Sequence, residues 1–385
     1  MKFFHTADWH LGKLVHGVYM TDDQRYVLDQ FVEAVEAERP DAVIIAGDLY
    51  DRAVPPTDAV ELLDDRLRTL VMDLKTPVIA IAGNHDSPGR LDFATQLMAS
   101  NGLYLMGQLK PSLEPVILQD QYGEVHVHQI PYAEPAVIRH LLENEEIHSH
   151  QEAMSALIEQ IEERLDPKAR HILVGHAFVT ASGESEPNTS DSERPLSIGG
   201  AEHVSAELFK SFHYTALGHL HQAHYVGNPT IRYSGSPLKY SISEEHHNKG
   251  YLVVELDQDG QVTVEHRSLK PKHEMRTVEG KLDDLLKGKM SEDYVFVRLL
   301  DETPILAPME KIRSVYPNAM HVERILSQPI ATQTVDGIQG RQTLTDQELF
   351  KAFYKEVTGE APKEEAEALF IEVLDDVRKK EVELV

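Results

Sequence analysis

The 385-residue sequence contains no cysteine. Disulfides and thiolate metal sites are thereby excluded, and the chain suits a reducing compartment. Long apolar runs are missing too. Stretches such as "AVIIAG" at 42–47 fall far short of the ~20 residues a membrane span needs. The opening "MKFFHTADWHLGK" has no extended apolar core and no small-residue cleavage site, so no secretory signal is expected and the protein reads as cytoplasmic. Positive charge is scarce, with 37 Lys and Arg against 64 Asp and Glu and a net charge of −27. A protein that grips nucleic acid unaided usually shows a basic footprint. On charge alone nucleic acid is an unfavourable partner, unless bound divalent cations or a basic partner chain offset the repulsion. No internal repeat or low-complexity tract is visible.

What is present is ordinary globular composition, 41% hydrophobic and 26% charged, in a chain long enough for two or three domains. The first part alternates strand-like and helix-like stretches. "FFHTADWH" opens as a strand. Over 21–40, Leu28, Phe31, Val32 and Val35 fall on one helical face. Thr21 with Gln24 reads as a capping box, and Pro40 as the stop. "DAVIIAGD" reads as a strand, 58–74 as a helix with Val60, Leu63, Leu67 and Leu74 on one side, and "PVIAIAGNHD" as a strand. This β-α-β-α-β order predicts an α/β layered fold.

Further on, "EVHVHQIPY" alternates like a strand, with His126 and His128 expected on a surface face. A helix over 151–165 buries Met154, Leu157, Ile158, Ile161 and Leu165. "HILVGH" and "YTALGH" are strands, and 231–268 finishes in β structure with hairpin turns. His246 and His247 are expected in a solvated turn. Residues 181–200, rich in Ser, Glu, Gly and Pro, read as a long loop. The expected division is 1–270, 271–340 as a smaller α/β piece, and 341–385 as two helices. Gly359 would end the first of these and Pro362 would open the second.

Four strands end alike, in an apolar run, a glycine and a potential metal ligand: "IIAGD" at Asp48, "AIAGN" at Asn84, "ILVGH" at His176 and "TALGH" at His219. Glycine lets the backbone turn and leaves room beside the ligand. Binding crevices in α/β sheets lie beyond the carboxyl ends of strands, so the four side chains are expected to converge. Two pairs extend the set, Asp8 with His10 and His219 with His221. In an extended segment residues i and i+2 share a face. A single D-x-H or G-H is more often a hydrogen-bonded buried pair. The order and setting of the seven together are what mark them out. Seven ligands suit two metals sharing a carboxylate. Imidazole, carboxylate and amide without sulfur favour manganese or iron, with nitrogen- and oxygen-bound zinc open as well.

These residues resemble a family. "DWHLG", "AGDLYD", "AGNHDS", "VGHAF" and "ALGHLH" are similar to the five motifs of the calcineurin-like metallophosphoesterases. "HTADWHLGK", "GDLYDRAVPP", "ERPLSIGG" and "RYSGSPLKYSISE" carry the likeness to the Mre-type double-strand-break nucleases within them. The resemblance implies a two-sheet sandwich flanked by helices, with 271–340 as a capping domain and a C-terminal helical hairpin. It implies two divalent ions, manganese first, with iron, magnesium or zinc as alternatives. One would be held by Asp8, His10, Asp48 and His221, the other by Asp48, Asn84, His176 and His219. His85 would be the catalytic residue, protonating the leaving oxygen of a phosphodiester, with Asp86 orienting its ring. Asp51 stands where archaeal relatives carry a second histidine.

The implied activities are a 3′→5′ exonuclease on double-stranded DNA and an endonuclease on single strands and hairpins. The implied partners are a coiled-coil ATPase of the SbcC type, DNA, and a second copy of the chain. Apolar stripes that include Leu349, Phe350, Phe353, Leu369, Phe370 and Val373 would dock the ATPase's coiled coil. The alternatives are another phosphoesterase of the superfamily, acting on phosphoproteins or cyclic nucleotides, a binding scaffold without chemistry, and a purely regulatory subunit.

Overall fold

The computed structural model describes residues 1–181, 188–193 and 203–325, and in the C-terminal region 350, 351, 354, 361–363, 366, 367, 369–371 and 373. Residues 1–325 form one compact unit and 326–385 a second.

Two six-stranded sheets organise the first unit. In chain order the elements are β1 (Lys2–Thr6), α1 (Thr21–Glu38), β2 (Ala42–Ile45), α2 (Thr57–Arg68), β3 (Val78–Ile81) and β4 (Leu103–Met106). Then come β5 (Val116–Asp120), β6 (Gly123–Ile130), α3 (Pro135–Leu142), α4 (His150–Glu162), β7 (Arg170–His176), β8 (Tyr214–Gly218), β9 (His224–Val226), β10 (Asn228–Tyr233), β11 (Gly250–Leu256) and β12 (Val262–Ser268). One sheet runs β12-β11-β1-β2-β3-β4, the other β9-β10-β8-β7-β6-β5. The strands that carry the glycine junctions pair in parallel: β2 with β3, and β7 with β8.

Burial on both faces explains the continuous apolar runs. Phe3, Ile44, Ile79, Ile81, Val127, Val174, Ala216 and Leu252 fill the space between the sheets. The alternate residues Phe4, Val43, Ile45 and Ala80 pack under α1 and α2. Leu173, Leu217 and Ile231 pack under α3 and α4. The result is a helix-sheet-sheet-helix sandwich.

A smaller three-stranded parallel sheet follows, built from β13 (Met275–Gly280), β14 (Tyr294–Leu299) and β15 (His321–Arg324), with short helices α5 (Leu282–Leu285) and α6 (Pro308–Ile312). Leu282, Val295, Val297, Leu299 and Ile312 form its core. It is fixed to α1 through buried Asp23, which accepts hydrogen bonds from Tyr294 Oη at 2.7 Å and His273 Nδ1 at 2.8 Å.

Several local expectations change. The Thr21–Gln24 capping box does not form: the residue before α1 is Met20, and no side chain caps the helix. The Gln24 carboxamide turns inward instead. α2 stops at Arg68 and continues as a π-helical turn over 69–73; its buried face is Ala59, Leu62 and Leu63, continued by Leu70 in the turn, and Val60 is exposed. His126 and His128 are buried, not on a surface face, because β6 is an interior strand covered on both sides. His246 is exposed as expected, while His247 is half-buried.

In the second unit, the Phe350 and Phe370 rings stack at 4.2 Å and Lys351 pairs with Glu367 at 2.8 Å, joining the two helical segments. Those two rings therefore face each other. Leu369 (61%) and Val373 (54%) stay exposed. Leu349 and Phe353 lie outside the described residues.

Candidate metal centre

All seven candidate ligands meet where the ends of β1, β2 and β3 face those of β7 and β8. The convergence needs unusual backbone. Asp8, His10 and Asp48 have φ of 54°, 45° and 50°, and His219 has 111°. Asp8 and His10 lie beyond the end of β1. They share a pocket because both positions are kinked, and not through the two-residue period of a strand. Such strain persists where the surrounding structure over-determines it. The glycines supply room. A Cβ on Gly83 would lie 2.2 Å from Asp48 Oδ1, and one on Gly47 2.3 Å from His176 Nδ1. One on Gly218 would lie 1.9 Å from the Ala46 carbonyl oxygen. Gly175 differs: a Cβ there meets only Leu217 at 3.8 Å.

The donor atoms fall into two groups around one carboxylate. His10 Nε2 and His221 Nε2 are 3.0 Å apart, and His10 Nε2 is 3.6 Å from Asp48 Oδ2. His176 Nε2 is 2.9 Å from Asn84 Oδ1 and 3.5 Å from the same Asp48 oxygen. Asn84 Oδ1 is 3.4 Å from His219 Nδ1. Ligand atoms about 2.0–2.1 Å from one ion and at right angles to each other would be about 3 Å apart. The tautomers agree with this. His176 Nδ1 donates to the Ala46 carbonyl at 2.9 Å, so its Nε2 presents a lone pair to the Asn84 oxygen, with no proton between them. Burial, the largest cause in each case, holds His10 and His219 well below the ordinary imidazole value and lowers His176. Burial first, and then neighbouring Asp48, raises Asp8 well above the ordinary carboxylate range. Neutral imidazoles and crowded buried carboxylates favour a cation between them. The residues fit two divalent ions that share Asp48.

Hydrogen bonds lock the set. Asp8 accepts from the His219 backbone N–H at 2.9 Å, across the two sheets. Asp48 Oδ1 accepts from His85 N–H at 2.9 Å. His85 is half-buried, with its ring 4.6 Å from that of His10. Its Nδ1 donates to the Asp51 carbonyl at 2.7 Å, leaving Nε2 free. The orienting group is thus the Asp51 backbone, and the expectation for Asp86 is corrected. Asp86 accepts from the Leu49, Tyr50 and Gly83 backbone N–H groups at 3.1, 2.9 and 2.9 Å. Those bonds point it at the loops after β2 and β3 and away from the His85 ring. Burial, then Asp48, pushes Asp86 up to about 7. The Asp51 carboxylate pairs with Lys13 at 2.8 Å.

Sequence reading missed a supporting layer. Gln24 accepts from Gly12 N–H at 3.1 Å and donates to the Trp9 and His10 carbonyls at 3.1 and 2.8 Å, gripping the first metal loop. His221 Nδ1 lies 3.0 Å from Glu244 Oε1, and Glu244 pairs with Lys249 at 2.6 Å. Ser192 and Glu193, from the expected long loop, also reach His221, at 2.7 and 2.8 Å. Burial opposes the charge on Glu244, but Lys249 and His221 hold it well below its ordinary range. No spacing rule joins residue 24 to 10, or 244 to 221.

Residues 1–223 match the family model described as calcineurin-like phosphoesterase. Residues 271–358 match that described as type 5 capsule protein repressor C-terminal domain. The SbcD subunit of nuclease SbcCD from Staphylococcus epidermidis is 34% identical over 362 residues, covering 93% of this chain and 94% of that one. The protein of the same name from Staphylococcus saprophyticus is 34% identical over 371 residues, covering 94% of each. The chain belongs to the SbcD family of calcineurin-like phosphoesterases. It is a metal-dependent phosphodiesterase, a hydrolase. Among solved structures, a dimetal phosphatase from Danio rerio aligns over 70% of this chain and 96% of its own, at 14% identity and a TM-score of 0.40, too distant to bear on the site. Among the described residues no helix is long and apolar enough to cross a membrane.

Proposed function

We propose that the chain is the nuclease subunit of an SbcCD-type complex, cutting DNA phosphodiesters as a 3′→5′ exonuclease on double-stranded ends and as an endonuclease on single strands and hairpins. The observation that carries this reading is the pocket itself, in a chain of the SbcD family. Six buried or half-buried ligand side chains gather around the seventh, Asp48, beside a half-buried His85 with one nitrogen uncommitted. A scaffold that had lost its chemistry would have no reason to keep four kinked backbone positions there.

Asp8, His10, Asp48 and His221 would hold one divalent ion, and Asp48, Asn84, His176 and His219 the other, manganese being the best match to the donors. Such a pair supplies polarisation of the phosphoryl oxygens and activation of water. The chain does the rest. The Asp51 carbonyl fixes the His85 ring by its Nδ1–H, so a protonated His85 donates from Nε2. As water adds to phosphorus and the bond to the leaving oxygen breaks, that proton passes to the leaving oxygen. General acid catalysis of this kind contributes about 10²–10⁴-fold.

The three-stranded piece, assigned to 271–340, would be the cap that shapes access for DNA. A coiled-coil ATPase of the SbcC type would dock on 341–385, supported by exposed Leu369 and Val373. A second copy of the chain is the further partner on this reading, and exposed Phe93 (80%) and Leu97 (75%) are apolar surface available to it. A cytoplasmic location accords with the cysteine-free chain. The net charge of −27 is met on this reading by the two cations and the partner.

The test is a labelled hairpin duplex, incubated with the chain and Mn²⁺, with and without the ATPase and ATP, beside a small phosphate monoester. Cleavage of the hairpin in preference to the monoester is expected. Monoester hydrolysis with an intact hairpin in every mixture would move the assignment to another phosphoesterase of the superfamily.

A further inference from the structure

The layer behind His221 forms a closed hydrogen-bonded unit. Lys249 is buried, and its three ammonium protons are placed on Glu244 Oε2 at 2.6 Å, the His221 carbonyl at 2.8 Å and Ser236 Oγ at 2.9 Å. Glu244 is fully buried. Its Oε2 also accepts from Tyr240 N–H at 3.2 Å. Its Oε1 faces His221 Nδ1 at 3.0 Å and accepts from Ser190 Oγ at 3.1 Å and from Ser192 Oγ. The carboxylate is thus divided. One oxygen belongs to Lys249, and the other belongs to His221 and the 188–193 segment.

That segment is tied to the fold independently of Glu244, Asp191 N–H donating to Ser243 Oγ at 3.0 Å, and it is braced internally by Ser190 N–H donating to Glu193 Oε2 at 2.9 Å. The other Glu193 oxygen accepts from His221 N–H at 2.8 Å. The segment therefore touches His221 at ring and backbone.

We propose that Glu244, held by Lys249, is the positioning residue that fixes which nitrogen of His221 carries the proton, and that residues 188–193 are a clip seated on the same carboxylate. The inference rests on reading His221 as a cation ligand. An ionised carboxylate can only accept. It keeps the proton on Nδ1 and turns the Nε2 lone pair toward His10. Clip and cation then share one imidazole, so each favours the other, by equal factors, through linkage.

Glu244→Gln is nearly isosteric and makes the sharpest variant. Lys249 and Tyr240 N–H both donate toward the Oε2 position, so the amide oxygen settles there. The amide NH₂ then points at His221 Nδ1, which must accept, and the proton moves to Nε2, the atom needed by the ion. The first measurement is the imidazole ¹⁵N spectrum of the cation-free wild-type chain. His221 protonated at Nδ1 is expected, and a proton on Nε2 overturns the proposal. This reading needs no variant to fold and no metal to bind.

In Glu244→Gln, shown folded by its thermal melt, the proton is expected on Nε2. Mn²⁺ affinity at one of two sites should fall about 10–100-fold, the usual loss for a removed outer partner, while the other site is kept. Two sites at wild-type affinity overturn the proposal. Hydrogen exchange of 188–193 tests the clip: saturating Mn²⁺ should slow it in the wild type and much less in Ser192→Ala. Unchanged exchange in a wild-type chain loaded with two ions removes the clip. A wild-type chain that binds no Mn²⁺ would instead defeat the metal reading, leaving the tautomer result to stand or fall alone.

Discussion

At the scale of single residues, the pocket distinguishes groups that hold cations from groups that act on substrate. His85 touches Asp48 only through its backbone N–H, so His85→Ala should retain two ions by elemental analysis and lose about 10²–10⁴ in rate. Simultaneous loss of ions and rate would make His85 a ligand. The junction glycines give a paired comparison. Gly83→Ala drives a methyl to 2.2 Å from Asp48 Oδ1 and 2.4 Å from the Asp48 backbone nitrogen. It should abolish cation binding and cost about 1–3 kcal/mol of stability. Gly175→Ala meets only a leucine methyl at 3.8 Å and should leave both properties near wild type. Calorimetric Mn²⁺ titration and a denaturant melt of the two variants check this. Neither glycine has a positive φ, so near-wild-type behaviour of both variants would show that the space beside Asp48 does not require glycine.

At the scale of elements, the sequence is legible wherever a local period or junction repeats, and illegible where a contact spans the chain. The strand-glycine-ligand pattern is enough to place Asp48, Asn84, His176 and His219 in one pocket. The D-x-H pair reaches the same pocket for a reason other than strand alternation, because positive φ at Asp8 and His10 leaves no mark in residue type. Thr21 and Gln24 have the spacing of a capping box, yet burial of the carboxamide against the His10 loop wins over an end bond that water can replace. His126 and His128 alternate like a surface face, but alternation cannot show that a second layer covers it. Glu244 and Lys249 look like ordinary charges in a polar turn. The C-terminal element carries its own prediction. Residues 326–385 form their own compact unit, so deleting 341–385 should preserve Mn²⁺ stoichiometry and abolish capture of the ATPase in a pull-down. Undiminished capture would place that contact elsewhere.

For the whole molecule, buried histidines set the response to acid. Burial is the main cause holding His5 and His128 at about 3 and His247 at about 4, against an ordinary 6.5. Below 6.5 the unfolded chain takes up protons that the folded chain refuses, so stability falls as pH drops from about 6.5 toward 4. Asp86, raised to about 7, works the other way between about 4 and 7, as do the raised Asp8 and Glu193, but the lowered histidines outnumber them. His171, His213 and His266 are shifted in the same downward direction, again chiefly by burial. The urea midpoint of the cation-free protein should therefore be clearly lower at pH 5 than at pH 7.5, and His128→Gln should reduce the difference. A midpoint independent of pH would mean that these rings are protonated inside the fold.

The donors come from both sheets. Asp8, His10, Asp48 and Asn84 follow strands of one, and His176, His219 and His221 follow strands of the other. Neither half of the chain can assemble the centre by itself. A nick in the connection near residues 107–115 would divide the ligand set between two inert pieces, and, because β11 and β12 belong beside β1, the return of activity on mixing them would report that the first sheet had been completed as well as closed on the second. Chelation should act in reverse, loosening the seam between the layers before it disturbs either layer.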